Sequence, residues 1–94
     1  MFEITRGEDG SIRLSGRLDA SNADKAREFL GTIQGSCILD FGRLEYISSA
    51  GLGVLLGTQK RLGISGDKLT LRNLNSHIRD LFHVAGFDLV FEIE

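Results

Sequence analysis

Apolar residues recur in this chain with two different periods, and the two periods alternate along its length. Ala23, Ala26, Phe29, Leu30 and Ile33 fall at helical spacing, with Asp24, Lys25, Arg27 and Glu28 on the other side. Leu52, Leu55, Leu56, Gln59 and Leu62 repeat that spacing, and Ile78, Leu81, Phe82 and Ala85 repeat it again. Between these segments lie short runs with strand character: Phe2 and Ile4, Ile12 and Leu14, Cys37-Ile38-Leu39, Leu69 and Leu71, and Leu89 to Ile93. The expected order is β-β-α-β-α-β-α-β, an α/β fold. Strands that alternate with helices form a mixed, mostly parallel sheet with right-handed crossovers, here opened by an antiparallel hairpin.

Glycine supplies the boundaries, because proline is absent. Gly7-Glu8-Asp9-Gly10 has turn chemistry, so residues 2–6 and 11–15 read as the hairpin. Ser21 is expected to cap the first helix, with Asp24 in its first turn and Gly35 at its end. Cys37-Ile38-Leu39, closed by Asp40, reads as a strand buried on both faces. The second helix is expected to start at Ser48 or Ser49 and stop at Gly63. Ser76 and Gly86 are expected to bound the third, and residues 89–93 to form the last strand.

A chain of 94 residues fits one domain spanning residues 1–94. The net charge is −2 with both signs interspersed, and nothing resembles the basic stripe of a nucleic-acid binder, so a protein partner is expected instead. The start of the chain lacks signal-peptide character, and no apolar stretch approaches the roughly 20 residues needed to insert in a membrane. The single cysteine, Cys37, reads as a small core residue in a reducing, cytoplasmic setting. His77 and His83 are six apart, which is not a one-face metal spacing. No cofactor, metal site or catalytic residue is expected. Gly51-Leu-Gly53-Val-Leu-Leu-Gly57 is one residue too long for a dinucleotide fingerprint, and residues 42–47 separate it from the apparent end of the preceding strand.

The most informative stretch is Leu39-Asp40-Phe41-Gly42-Arg43-Leu44-Glu45-Tyr46-Ile47-Ser48-Ser49-Ala50-Gly51-Leu52-Gly53-Val54-Leu55-Leu56. It sets two serines at a helix start, where a hydroxyl can cap a free backbone N–H and an anion meets the positive end of the helix dipole. A phosphate there adds roughly −1.5 to −2 charges and is tolerated by the helix, so its effect falls on whatever docks over the helix start. Gly51 and Gly53 either admit a partner closely or let the helix pack tightly on the sheet.

This stretch resembles the signature of STAS domains, in particular bacterial anti-sigma factor antagonists. The resemblance extends to Gly16-Arg17-Leu18-Asp19-Ala20, to Ile78-Arg79-Asp80-Leu81-Phe82 and to Ala85-Gly86-Phe87. It implies a STAS fold and partner switching. The unphosphorylated antagonist binds an anti-sigma factor that is also a serine kinase, phosphorylation at the helix-start serine releases it, and a PP2C-type, metal-dependent phosphatase restores it. Matched motif to motif, the acceptor is Ser49, with Ser48 as the alternative. The partner surface would comprise Asp19, Ser21, Asn22, Ser48, Ser49, Ala50, Gly51, Leu52 and Gly53. The chain departs from the pattern in having Ser48 where an acid usually precedes the acceptor and Ala50 where Ser or Thr often follows it. The other reading within the same fold is a STAS adaptor without phosphorylation, serving a lipid or anion transport system or a sensory complex.

Overall fold

The computed structural model describes residues Met1–Glu94. It comprises β1 (Phe2–Arg6), β2 (Ile12–Leu18), α1 (Ala23–Leu30), β3 (Cys37–Ile47), α2 (Ser49–Ile64), β4 (Leu69–Arg72), α3 (Ser76–Val84) and β5 (Glu92–Ile93), with a 3-10 turn at Phe87–Leu89 before the last strand. The expected element order holds. The five strands lie side by side in chain order. β1 and β2 pair antiparallel, and every later pair is parallel.

Strands that advance in one direction through right-handed crossovers carry all three helices on the same face. The burial pattern agrees. Ile4, Ile12, Leu14, Leu39, Phe41, Leu69 and Leu71 are buried on that face, whereas Thr5, Arg13, Asp40 and Arg72 alternate toward the open side. This corrects the expectation for Cys37-Ile38-Leu39: only Leu39 is fully buried, and Cys37 and Ile38 are half-exposed. Asp40 does not close that strand either, because its carboxylate points away from the core, and the strand continues to Ile47. Only Ser48, Ser49 and Ala50 therefore separate Gly51 from a strand, and the case against a dinucleotide fingerprint rests on the glycine spacing and on the next strand ending in Arg72 rather than an acid.

Other boundaries shift for local reasons. Asn22, not Ser21, occupies the N-cap position of α1, since the Ser21 hydroxyl donates to Asp19 instead. α1 ends at Leu30, ahead of Gly35. The Arg61 guanidinium covers that end, donating to Leu30 O (2.8 Å), which also accepts from Ile33 N–H, and to Ile33 O (3.0 Å) in the loop that follows. Asn75, not Ser76, caps α3, its side chain accepting from Ile78 N–H at 2.8 Å. Leu81 and Ala85 face outward rather than into the core. Residues 89–91 are not strand: Phe87 and Phe91 bracket the turn and pack their rings on Phe82, while Leu89 projects into solvent.

Across the open face, Arg72 joins three segments. It donates to Asp9 (2.8 Å), Asp40 (3.3 Å) and Ser11 Oγ (3.3 Å). Asp9 is held well below the usual carboxylate range by the Ser11 hydroxyl, then by Arg72. Partial desolvation pushes Asp40 upward, but hydrogen bonds from Gly42 N–H, Asn73 and Arg72 outweigh it and the net shift is down. A depressed carboxylate stabilises the fold above its unfolded pKa of about 4 and loses that contribution as pH falls through its folded value. Stability is thus expected to drop below about pH 4, and less steeply in Arg72→Gln, as urea midpoints across that range would show. Phe82 is fully buried against Phe41, Phe87 and Phe91. Phe82→Ala is expected to cost about 3–5 kcal/mol in chemical denaturation.

Candidate partner-binding site

β2 and β3 run parallel and, past two register irregularities, end together with Leu18 opposite Ile47. Ser48 continues the ladder by one bond, its N–H donating to Leu18 O at 2.9 Å. Both strands therefore release their chains at the same end of the sheet. Asp19-Ala20-Ser21-Asn22 leaves from one and Ser48-Ser49 from the other.

The two serines take different roles. Ser48 has extended backbone geometry (φ −91°, ψ 172°), and its Oγ accepts from Gly51 N–H at 3.2 Å while its carbonyl accepts from Leu52 N–H at 2.9 Å. It is the N-cap. Ser49 is the first helical residue, is exposed, and its hydroxyl engages no other group. The N–H groups of Ser49 and Ala50 precede the first intrahelical bond and remain free, and the first turn of α2 holds no acid. An anion on Ser49 would meet free donors and an uncompensated dipole end.

The glycines also divide. A Cβ on Gly51 would lie 2.8 Å from Leu18 Cγ, 2.9 Å from Ile47 Cγ1 and 3.0 Å from Leu18 O, so this position is packed against the strand ends. Gly53 has nothing within 4 Å of a Cβ and is exposed, as is Gly57. Ser49, Gly53 and Gly57 recur at four-residue spacing and share one bare stripe of α2. Leu52 and Ala50 are half-buried against the core.

Asp19, Ser21 and Asn22 form a closed cluster. The Asp19 carboxylate accepts from Ser21 Oγ (2.6 Å), Ser21 N–H (3.0 Å) and Asn22 Nδ2 (3.1 Å), and Asn22 Nδ2 also donates to Arg17 O at 3.0 Å. The Ser21 hydroxyl is the main reason the Asp19 carboxyl is lowered. No hydrogen bond links this cluster to Ser49, so the strand ends alone bring the two together. One feature of this end was missed in the sequence: the Arg17 guanidinium stacks 4.3 Å over the Tyr46 ring, the two being partners in the β2–β3 register. A cation and an aromatic one step before the two loops were the only available signal. The histidines lie elsewhere, with His83 Nδ1 2.8 Å from Asp88. No cluster of three or more His, Cys, Asp or Glu side chains is placed to hold a metal ion, and no helix is long and apolar enough to cross a membrane.

The family model described as Mlab, STAS domain matches residues 2–92. The chain belongs to the STAS domain family. Among curated STAS relatives it is 36% identical over 84 residues to BtrV of Bordetella bronchiseptica, covering 85% of this chain and 72% of that protein. It is 32% identical over 91 residues to the anti-sigma-B factor antagonist of Bacillus subtilis, covering 90% and 81%. The anti-sigma factor antagonist SpoIIAA in its unphosphorylated form superposes with TM-score 0.78 at 21% identity, over all of this chain and 88% of that one. SpoIIAA in its phosphorylated form gives 0.70 at 20%, over 100% and 91%. These superpositions establish the STAS fold.

Removing the Ser48 cap in Ser48→Ala is expected to cost about 0.5–2 kcal/mol. Gly51→Ala, which forces a methyl against Leu18 and Ile47, is expected to cost about 1–3 kcal/mol. Gly53→Ala, whose Cβ meets open space within the helix, should instead raise stability by about 0.5–1 kcal/mol in the same urea titrations.

Proposed function

We propose that this chain, a single STAS unit over residues 1–94, is an anti-sigma factor antagonist that acts by binding rather than by catalysis. Unphosphorylated, it binds an anti-sigma factor that is also a serine kinase. Phosphorylation at Ser49 ends that binding, and a PP2C-type phosphatase restores it. The role is supported by the relatives, one of which is named an anti-sigma-B factor antagonist at 32% identity. The observation that carries the site is the division of labour between the serines. Ser48 caps α2, and Ser49 is left exposed with an unengaged hydroxyl beside the bare stripe of Gly53. The docking surface in this reading runs from Asp19, Ser21 and Asn22 across Ser48, Ser49, Ala50, Gly51, Leu52 and Gly53.

Phosphate on Ser49 meets free N–H groups at the helix start, so the domain keeps its fold and the partner loses its contact through added charge and bulk. A constitutive adaptor role in a transport or sensory assembly is the second reading within the same fold. Ser48 in place of an acid also removes a charge a kinase could read.

Incubation with the cognate kinase and ATP, followed by phosphosite mapping, separates the two. Label on Ser49, with Ser49→Asp binding the kinase more weakly than Ser49→Ala, is the expected result. Label on Ser48 alone, or none, together with equal binding by both variants, would overturn the switch and leave the adaptor.

A further inference from the structure

The open face of the sheet carries a depression of about 530 Å3, lined by Thr5, Arg13, Ser15, Asp40, Arg43 and Asn73 around Gly42. The sheet register explains how residues so far apart in sequence meet there. One row across the strands is Thr5, Arg13, Asp40 and Arg72, and the next is Glu3, Ser15 and Arg43. Between these rows β2 advances two residues and β3 three, so Gly42 falls in an irregularity of the ladder. Such bulges re-aim side chains, and a glycine within a strand leaves room for close approach.

The charges in the depression do not cancel. Asp40 is engaged by Arg72 (3.3 Å), Asn73 Nδ2 (3.2 Å) and Gly42 N–H (2.8 Å). Arg72 is divided between Asp40 and Asp9. Glu3, the acid in the second row, lies 3.9 Å from Lys25. Of the charged residues lining the hollow, only Arg13 and Arg43 have neither an ion pair nor a hydrogen bond; both are exposed at its rim, and the Arg13 guanidinium rests over Gly7 at the hairpin turn. Only one of the eight lining residues, Leu14, is hydrophobic, so the hollow offers little to an apolar ligand or a flat aromatic one.

Two guanidiniums free to bind bidentately suit a phosphate. The hydroxyls of Thr5 and Ser15, the Asn73 amide and the Asp40 carboxylate add donors and acceptors that suit hydroxyl groups. We propose that this hollow binds a small phosphorylated polyol of the sugar-phosphate class. Arg13 and Arg43 hold the phosphate, and Asp40, Asn73 and Ser15 hold the hydroxyls. The site lies on the sheet face opposite the helices and does not depend on phosphorylation at Ser49.

Titration of the 15N-labelled protein with ribose 5-phosphate, at about 150 mM salt to suppress unspecific attraction, tests this directly. Saturable shifts are expected in the amides of Arg13, Ser15, Gly42, Arg43 and Asn73, with none from ribose alone. The double variant Arg13→Gln, Arg43→Gln should keep the thermal midpoint to within a few degrees, because neither side chain has an ion pair or hydrogen bond to lose, and bind at least tenfold more weakly. Arg79→Gln, at a distance on α3, should bind as the unaltered protein does. Non-saturable shifts, shifts scattered over basic residues elsewhere, or equal binding by the double variant would overturn the assignment.

Discussion

A single backbone hydrogen bond, from Ser48 N–H to Leu18 O, closes the parallel β2–β3 ladder and sets the functional end of this domain. With Leu18 opposite Ile47, the loop into α1 and the start of α2 must emerge side by side. The same bond holds Ser48 in the extended geometry an N-cap needs, so its hydroxyl turns back onto Gly51 N–H. Gly51 then passes so close to Leu18 that no side chain fits. Strand pairing, helix cap and close helix packing are here one constraint, and Ser49 is the first residue beyond it with a free side chain.

The periodic segments were legible because burial is one-sided. All three helices were readable from spacing near 3.6, β1 and β4 from strict alternation, and β2 as far as Ser15. Gly16 to Leu18 lie beyond its expected end, and in α2 Val54 and Thr58 are buried where Leu52, Leu56 and Gln59 are only half-buried. The far half of β3 was not legible. Its buried residues are Leu39, Phe41, Leu44 and Ile47, and the steps of three come from the two register irregularities against β2. A period-two reading therefore stops at Asp40, where the structure continues. The C-terminus misled for another reason. Leu89-Val90-Phe91 has strand composition, but burial of Phe87 and Phe91 on Phe82 needs a turn between them, and only Glu92–Ile93 pairs with β4.

At α3 the capping chemistry was read correctly and its position was off by one, whereas α1 has no side-chain cap at all. Ser21 and Ser76 were plausible caps by type. Asp19 takes the Ser21 hydroxyl, and Asn75 reaches Ile78 N–H ahead of Ser76. The double serine before Ala50 was legible as a helix start, but which serine caps depends on the bond to Leu18, a contact 30 residues away in sequence. The open face was invisible for the same reason. Arg72 and Asp9 are 63 positions apart, and only the sheet order makes them neighbours.

On this account, modification at Ser49 acts on the docking surface while the ladder beneath it stays closed. Amide hydrogen exchange on the unmodified and the Ser49-phosphorylated protein tests that claim most directly. Protection should be unchanged through β2, β3 and α2 beyond its first turn, with differences confined to residues 19–22 and 48–53. Loss of protection across the β2–β3 ladder would show that the phosphate opens the fold, and would contradict a switch that works by covering a surface.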